Sequence, residues 1–171
     1  MRVTDLNVTE YNSYYQPYIE KSDSGPILEG LRSNAILLAT FVRTIDKEKL
    51  TYRYAYGKWT IKEIVLHLID TERVFAYRAL CIARKDKTEF PGFDQDAYVA
   101  NSEANNRTID SLLTEYANVR AATVSLFENF NAGNWLELGI ASHSAVSVRA
   151  IAFIIVGHEN HHLQLIKSRY L

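Results

Sequence analysis

Glycine and proline are scarce in this 171-residue chain, at seven and three residues. A β-sandwich needs a turn signal every ~8–12 residues, so the scarcity favours long helices. Cysteine is scarcer still: Cys81 stands alone, no internal disulfide can form, and without a paired ligand or activating neighbour it reads as a small packed side chain. No apolar run approaches the ~20 residues of a membrane span, and the N-terminus has no signal-peptide core. A cytoplasmic protein without a membrane partner is therefore expected. An excess of either charge is also missing: the formal net charge is −1, and no stretch gathers the basic residues of a nucleic-acid footprint.

What is present is a globular composition, 47% hydrophobic and 23% charged, in a length that suits one domain over residues 1–171 with an N-terminal arm, about 1–24, packed on it. Four stretches carry helical periodicity. The first runs from about Pro26 to Ile45, with Leu28, Leu31, Ala35, Leu38 and Val42 at three- and four-residue steps. The second starts at Thr60, where Thr60 and Glu63 form a capping box and Trp59 and Ile64 a hydrophobic staple, and runs to about Ala83. The third covers about Thr108 to Phe130 in bundle register. The fourth, about Ser147 to Tyr170, is apolar all round over Val148–Val156, which suits a central or interface helix; Phe153 and Val156 are the candidates for a subunit interface. Loops are expected at Leu50–Lys58, Lys85–Arg107 and Asn131–Val146. The fold class is thus all-α, a four-helix bundle with a long crossover connection.

Five histidines are available: His67, His143, His158, His161 and His162. His158 and His162 lie four apart, ~40° around the helix axis and one turn along it, inside the arc that holds Ile151, Ile154, Ile155 and Leu165. Two imidazoles turned toward a core need partners. His67, on the flank of the second helix's apolar stripe, is the third candidate, and three imidazoles make the open site that catalytic divalent metals use. Isolated core histidines are the alternative. His161 falls about 60° from His158 in projection and reads as a supporting or exposed residue; His143 sits in a loop. His158-Glu159-Asn160-His161-His162 also spells H-E-x-x-H, in which a zinc peptidase uses the glutamate as general base. Only nine residues follow His162, so the usual downstream third ligand is missing. Glu159 is a candidate proton-handling residue or an exposed helix carboxylate. Asp70 and Thr71, three and four positions after His67, are candidates to order it or a bound water, Asp70 also as a catalytic group.

The chain resembles the DinB/YfiT-like superfamily of bacterial metalloenzymes over nearly its whole length. The likeness is carried by Tyr56-Gly57-Lys58-Trp59-Thr60-Ile61-Lys62-Glu63 with His67-Leu68-Ile69-Asp70, by Glu72-Arg73-Val74-Phe75-Ala76-Tyr77-Arg78, by Pro91-Gly92-Phe93-Asp94, and by Ser147-Val148-Arg149-Ala150 leading to Gly157-His158-Glu159-Asn160-His161-His162. The resemblance implies an up-down-down-up bundle, a homodimer, and a nickel- or zinc-type ion on His67, His158 and His162. It also implies a small-molecule substrate: family members include transferases that use a low-molecular-weight thiol, bacillithiol or mycothiol, and related isomerases. Metal-assisted hydrolysis fits the same site, and a non-catalytic metal-binding, stress-associated dimer is the other reading.

Two arginines stand out. Arg120 projects into the third helix's apolar stripe, where an unpaired guanidinium would be costly; Glu72, equally deep in the second helix, is the simplest partner. Alternatively Arg120, or Arg78 from the same lane as His67, binds a substrate carboxylate. Phe90, Phe93, Tyr98 and the tyrosines of the arm either wall a pocket over the metal or cover the ends of the bundle.

Overall fold

The computed structural model describes residues 1–22 and 25–171. Three short 3₁₀ turns between Val3 and Tyr15 lead into α1 (Gln16–Ile19), and the expected end of the arm near residue 24 lies outside the described residues. The bundle helices are α2 (Ile27–Arg43), α3 (Ile61–Ala83), then, after the short α4 (Gln95–Ala100), α5 (Ile109–Glu128), and, after the short α6 (Ala132–Leu136), α7 (Val148–Arg169). Each expected stretch is present to within one or two residues at either end. Thr60 accepts from the Glu63 N–H while Glu63 accepts from the Thr60 N–H, closing the capping box at α3; Thr108 and Ser147 cap α5 and α7 with their hydroxyls. Each cap satisfies an otherwise orphaned helical N–H.

Helix directions follow from residue pairs. Thr60 and Lys62 at the start of α3 bond Asn105 and Arg107, just before α5, so α3 and α5 begin together and run parallel. The Tyr170 hydroxyl, at the end of α7, donates to the Trp59 carbonyl, which makes α7 antiparallel to α3. Asn34 bonds Asn160, and a Cβ on Gly30 would lie 3.7 Å from Val156, so α2 and α7 run together. Arg32 pairs with Glu128 and Arg43 with Asp110, the antiparallel arrangement of α2 and α5. The order is up-down-down-up, and the α3–α5 connection travels back along the bundle because it joins two parallel helices.

A three-stranded sheet that periodicity did not anticipate caps one end. β1 (Glu89–Phe90) pairs parallel with β2 (Leu138–Ala141), which pairs antiparallel with β3 (Ser144–Ser147). The hairpin turn places Ser142 and His143 at φ 51° and 60°, where glycine or asparagine is the usual choice.

The core divides into two apolar halves. One gathers Leu31, Phe75, Ile82, Phe127 and Ile151, the other Leu38, Ile64, Leu112, Leu113 and Leu163. Between them each helix contributes buried polar residues: Asn34 from α2, His67 and Glu72 from α3, Arg120 from α5, and His158, Glu159 and His162 from α7. Phe153 and Val156 are fully buried within the monomer, so they cannot supply a subunit interface.

The arm is tied to α7 by Glu10, whose carboxylate accepts from the Ser147 hydroxyl at 2.7 Å and from two nitrogens of Arg149. Burial by itself would raise the Glu10 pKa, but the Arg149, Asn7 and Ser147 donors outweigh it and hold it at about 2. A depressed folded-state pKa stabilises above the ordinary value of 4.5 and ceases to do so as pH falls through about 2. Protection of residues 3–20 in hydrogen exchange is therefore expected to weaken between about pH 4.5 and 2. Glu10→Gln removes that acid dependence and costs roughly 1–3 kcal/mol at neutral pH; an arm equally protected at both ends of the range would contradict this.

Candidate metal centre

His67 lies in the second turn of α3, and His158 and His162 occupy consecutive turns of α7. Because α3 and α7 are neighbours, all three imidazoles meet in the polar layer. The His67 and His162 Nε2 atoms each stand 3.1 Å from the His158 Nε2, and the potential ligand atoms all fall within 4.8 Å of one another. All three residues are buried. Burial pushes the His67 pKa down to about 4. It pushes His158 and His162 well below the usual histidine value, with the neighbouring imidazoles adding to the effect.

Whether a cation suits these residues is a matter of valence. A neutral imidazole nitrogen carries either a proton or one in-plane lone pair, so the His158 Nε2 cannot donate to one neighbour and accept from the other. The His162 Nδ1 is buried and has no hydrogen-bond partner among the described residues. Three neutral lone pairs directed at one divalent ion resolve the conflict, since Zn–N bonds of ~2.0–2.1 Å in tetrahedral arrangement separate ligand nitrogens by about 3.3 Å. The residues fit the group.

The surroundings hold the rings in place. The Thr71 hydroxyl approaches the His67 Nδ1 at 3.4 Å. Trp59 tilts against His67 with centroids 4.7 Å apart and stacks on His162. Tyr18, from the arm, meets both His158 and His161 edge-on. The sequence offered Trp59 as a helix staple, and its spacing carried no signal of this contact with the histidines; Tyr18 belongs to an arm without periodicity.

Glu159 is no exposed carboxylate. Both of its oxygens accept from the Tyr116 hydroxyl at 2.9 Å, and Oε2 also accepts from Arg120. The Arg120 Nε and Nη2 bond the two Glu72 oxygens at 2.9 Å, and Nη1 bonds the Leu31 carbonyl. The expected Glu72–Arg120 pair is thus present, and Glu159 joins it. Burial raises the Glu159 pKa and Arg120 opposes the rise. Burial would lower the Arg120 pKa, but Glu159 and Glu72 together raise it well above its ordinary value.

Asp70 is not brought to the histidines. It sits 3.7 Å from Arg73 in an ion cluster with Glu115 and Arg107 on the flank of α3 and α5. His143 is exposed in the hairpin turn, 2.7 Å from Glu89, and His161 is half-buried under Tyr18.

A cavity of about 470 Å³ opens beside His158 and Glu159 and runs past Thr71 and Phe75 to Arg78. Tyr14, Tyr15 and Tyr18 of the arm, Phe93 of the α3–α5 connection and Ser142 of the hairpin close its outer side. Phe90, by contrast, is buried in the core, and Tyr98 is half exposed on α4.

Comparison with known proteins places this geometry. The family model of the DinB superfamily matches residues 31–166, which include all three histidines. A protein of Oceanobacillus iheyensis whose name assigns it provisionally to the metal-dependent hydrolases is 24% identical over 132 residues, 76% of this chain and 75% of that one. Among solved structures, YfiT of Bacillus subtilis, described as a probable metal-dependent hydrolase with an unusual four-helix bundle topology, superposes with a TM-score of 0.69 at 16% identity. The match covers 95% of this chain and 89% of that one. A DinB-like protein of the same organism gives 0.57 at 18% identity, covering 82% and 86%. At these identities the structural matches establish the fold. No helix among the described residues is long and apolar enough to cross a membrane.

Proposed function

We propose, for a chain that belongs to the DinB superfamily, that it is a divalent-metal-dependent enzyme acting on a small molecule, with His67, His158 and His162 as the metal ligands. One observation carries this reading: three neutral, buried imidazoles converge, and one of them, His158, also lines a cavity of about 470 Å³, within the size range of small-molecule sites. A purely structural ion would need no such access. The names of the relatives favour hydrolysis; transfer of a low-molecular-weight thiol would use the same open ligand positions.

A nickel- or zinc-type ion, when bound, supplies a Lewis acid that brings a water or thiol toward ionisation near neutral pH. The protein's own residues do the rest. Thr71 and Trp59 fix the His67 ring, Trp59 and Tyr18 keep bulk water from the histidines, and the cavity holds the substrate against His158. Glu159 lines the same cavity, and its Oε1, engaged among the described residues by Tyr116 alone, retains a lone pair that can take a proton. Asp70 lines no part of the cavity, so proton handling falls to Glu159. Arg120 and Tyr116 position that carboxylate.

Elemental analysis of untagged protein, loaded separately with nickel and zinc, is expected to find about one ion per chain and, in His158→Ala, less than roughly a tenth of that. A screen of small esters and amides beside a thiol-conjugation assay then separates hydrolysis from thiol transfer. Wild-type protein that takes up neither metal would overturn the proposal.

A further inference from the structure

Arg78 and Arg120 are equally buried, at 3% and 2% exposure, yet their surroundings differ. Arg120 is neutralised by two carboxylates. Arg78 donates to the Pro91 carbonyl at 2.6 Å and has the Tyr15 phenol as its other polar neighbour; among the described residues no carboxylate pairs with it. Its guanidinium lies over the Phe75 and Phe93 rings, 5.2 and 5.9 Å from their centroids, and it lines the cavity that begins at His158. Asp94, an acidic residue on the same wall, accepts from the N–H groups of Asp96 and Ala97 through Oδ1 as the cap of α4 and forms no ion pair with Arg78.

A buried guanidinium without a counter-charge is expensive to maintain, and one clamped between aromatic rings is preorganised rather than free to swing toward solvent. Of its five N–H donors, those not held by Pro91 and Tyr15 can meet a ligand. A carboxylate matches a guanidinium fork in shape and charge. Around Arg78 the cavity wall carries Tyr14, Tyr15, Phe75 and Phe93, which suit an apolar or aromatic body, among polar residues such as Asn12, Gln95 and Ser144.

We infer that the cavity binds small molecules carrying a carboxylate, seated on Arg78 with the apolar body between Phe93 and the arm tyrosines, so that the opposite end of the ligand is presented to His158. This rests on the proposed function for the reaction at that end, and adds the substrate class: an organic acid with an apolar body.

Calorimetry with phenylacetate and 4-phenylbutyrate, each beside its neutral amide, tests the assignment on metal-loaded and chelator-treated protein. Wild type is expected to bind the acids and to bind the amides at least tenfold more weakly. Arg78→Met is expected to weaken acid binding about ten- to a hundredfold with metal content unchanged. Should Arg78→Met fail to fold, Arg78→Lys, which keeps the charge and loses the fork, is expected to weaken it several-fold. Acids bound no better than amides by wild type, or bound equally well by the Arg78 variants, would overturn the inference. So would acid binding that vanishes on chelation but ignores Arg78, since the acid would then sit at the histidines. Arg78-dependent binding by a protein that takes up no metal would sink the proposed function and leave this inference standing.

Discussion

Replacing Arg120 with methionine is expected to lower the unfolding free energy by about 3–5 kcal/mol, the cost of breaking a buried ion pair from one side. Methionine preserves most of the length and the apolar stem, so the loss isolates the guanidinium. Without it Glu72 and Glu159 are left in the polar layer, with Tyr116 as the only donor to Glu159 among the described residues, and the Leu31 carbonyl of α2 keeps its helical bond but loses its side-chain donor. Three helices meet at Arg120: α2 through Leu31, α3 through Glu72 and α7 through Glu159. Equilibrium urea denaturation checks the value. Adding Glu72→Gln to Arg120→Met should recover part of the loss, because the two residues share one network and their effects are not additive. A cost below about 1 kcal/mol, as for an exposed ion pair, would contradict the arrangement.

Gly157→Ala is expected to release the arm. By helix propensity alone the change should stabilise α7 by up to about 1 kcal/mol. Packing reverses the sign: a Cβ at this position would lie 1.7 Å from the Tyr18 carbonyl oxygen and 2.5 Å from its carbon. Those are backbone atoms, so no rotamer change relieves the overlap, and α1 must lift away from α7. The expected cost is about 3 kcal/mol, the upper end for overpacking, and it is local. Tyr18 should leave His158, residues 1–22 should become cleavable by limited proteolysis, and the bundle itself should remain folded. Gly157→Ala protein with a protease-resistant arm would show that the close approach is not what seats it.

The bundle was legible because its periodicity is sustained over four long stretches and the start of α3 is marked chemically as well. Thr60 and Glu63 close the capping box that their spacing suggests, and the apolar positions of α3, α5 and α7 face the core they imply. The Glu72–Arg120 pair was readable for a related reason: two charged residues deep in apolar stripes must find each other. Three features were not readable. The strands are two to four residues long and turn at Ser142-His143 without a glycine or asparagine, so neither strand pattern nor turn signal rises above background. Asp70 follows His67 by three positions, which puts it near the right face, but Arg73, itself paired with Glu115 of α5, holds it on the flank. The apolar surface of α7 resembled a subunit interface because a one-dimensional pattern does not distinguish burial by another copy from burial by α2 and the arm.

The cavity has two kinds of wall. His158, Glu159, Thr71, Phe75 and Arg78 stand on bundle helices, while Tyr14, Tyr15, Tyr18, Phe93 and Ser142 stand on the arm, the returning connection and the hairpin. Up-down-down-up wiring makes that returning connection obligatory, since a chain joining two parallel helices must retrace the bundle's length. The fold therefore sets the histidines and the inferred carboxylate seat at Arg78 on packed helices and leaves the shape of the outer wall to connections. Insertions and substitutions accumulate in surface connections far more readily than in packed helices, so the outer wall can be exchanged, residue by residue or segment by segment, while the histidines and their ionic support stay fixed. One scaffold of this wiring can diversify its substrates without rebuilding its reaction centre.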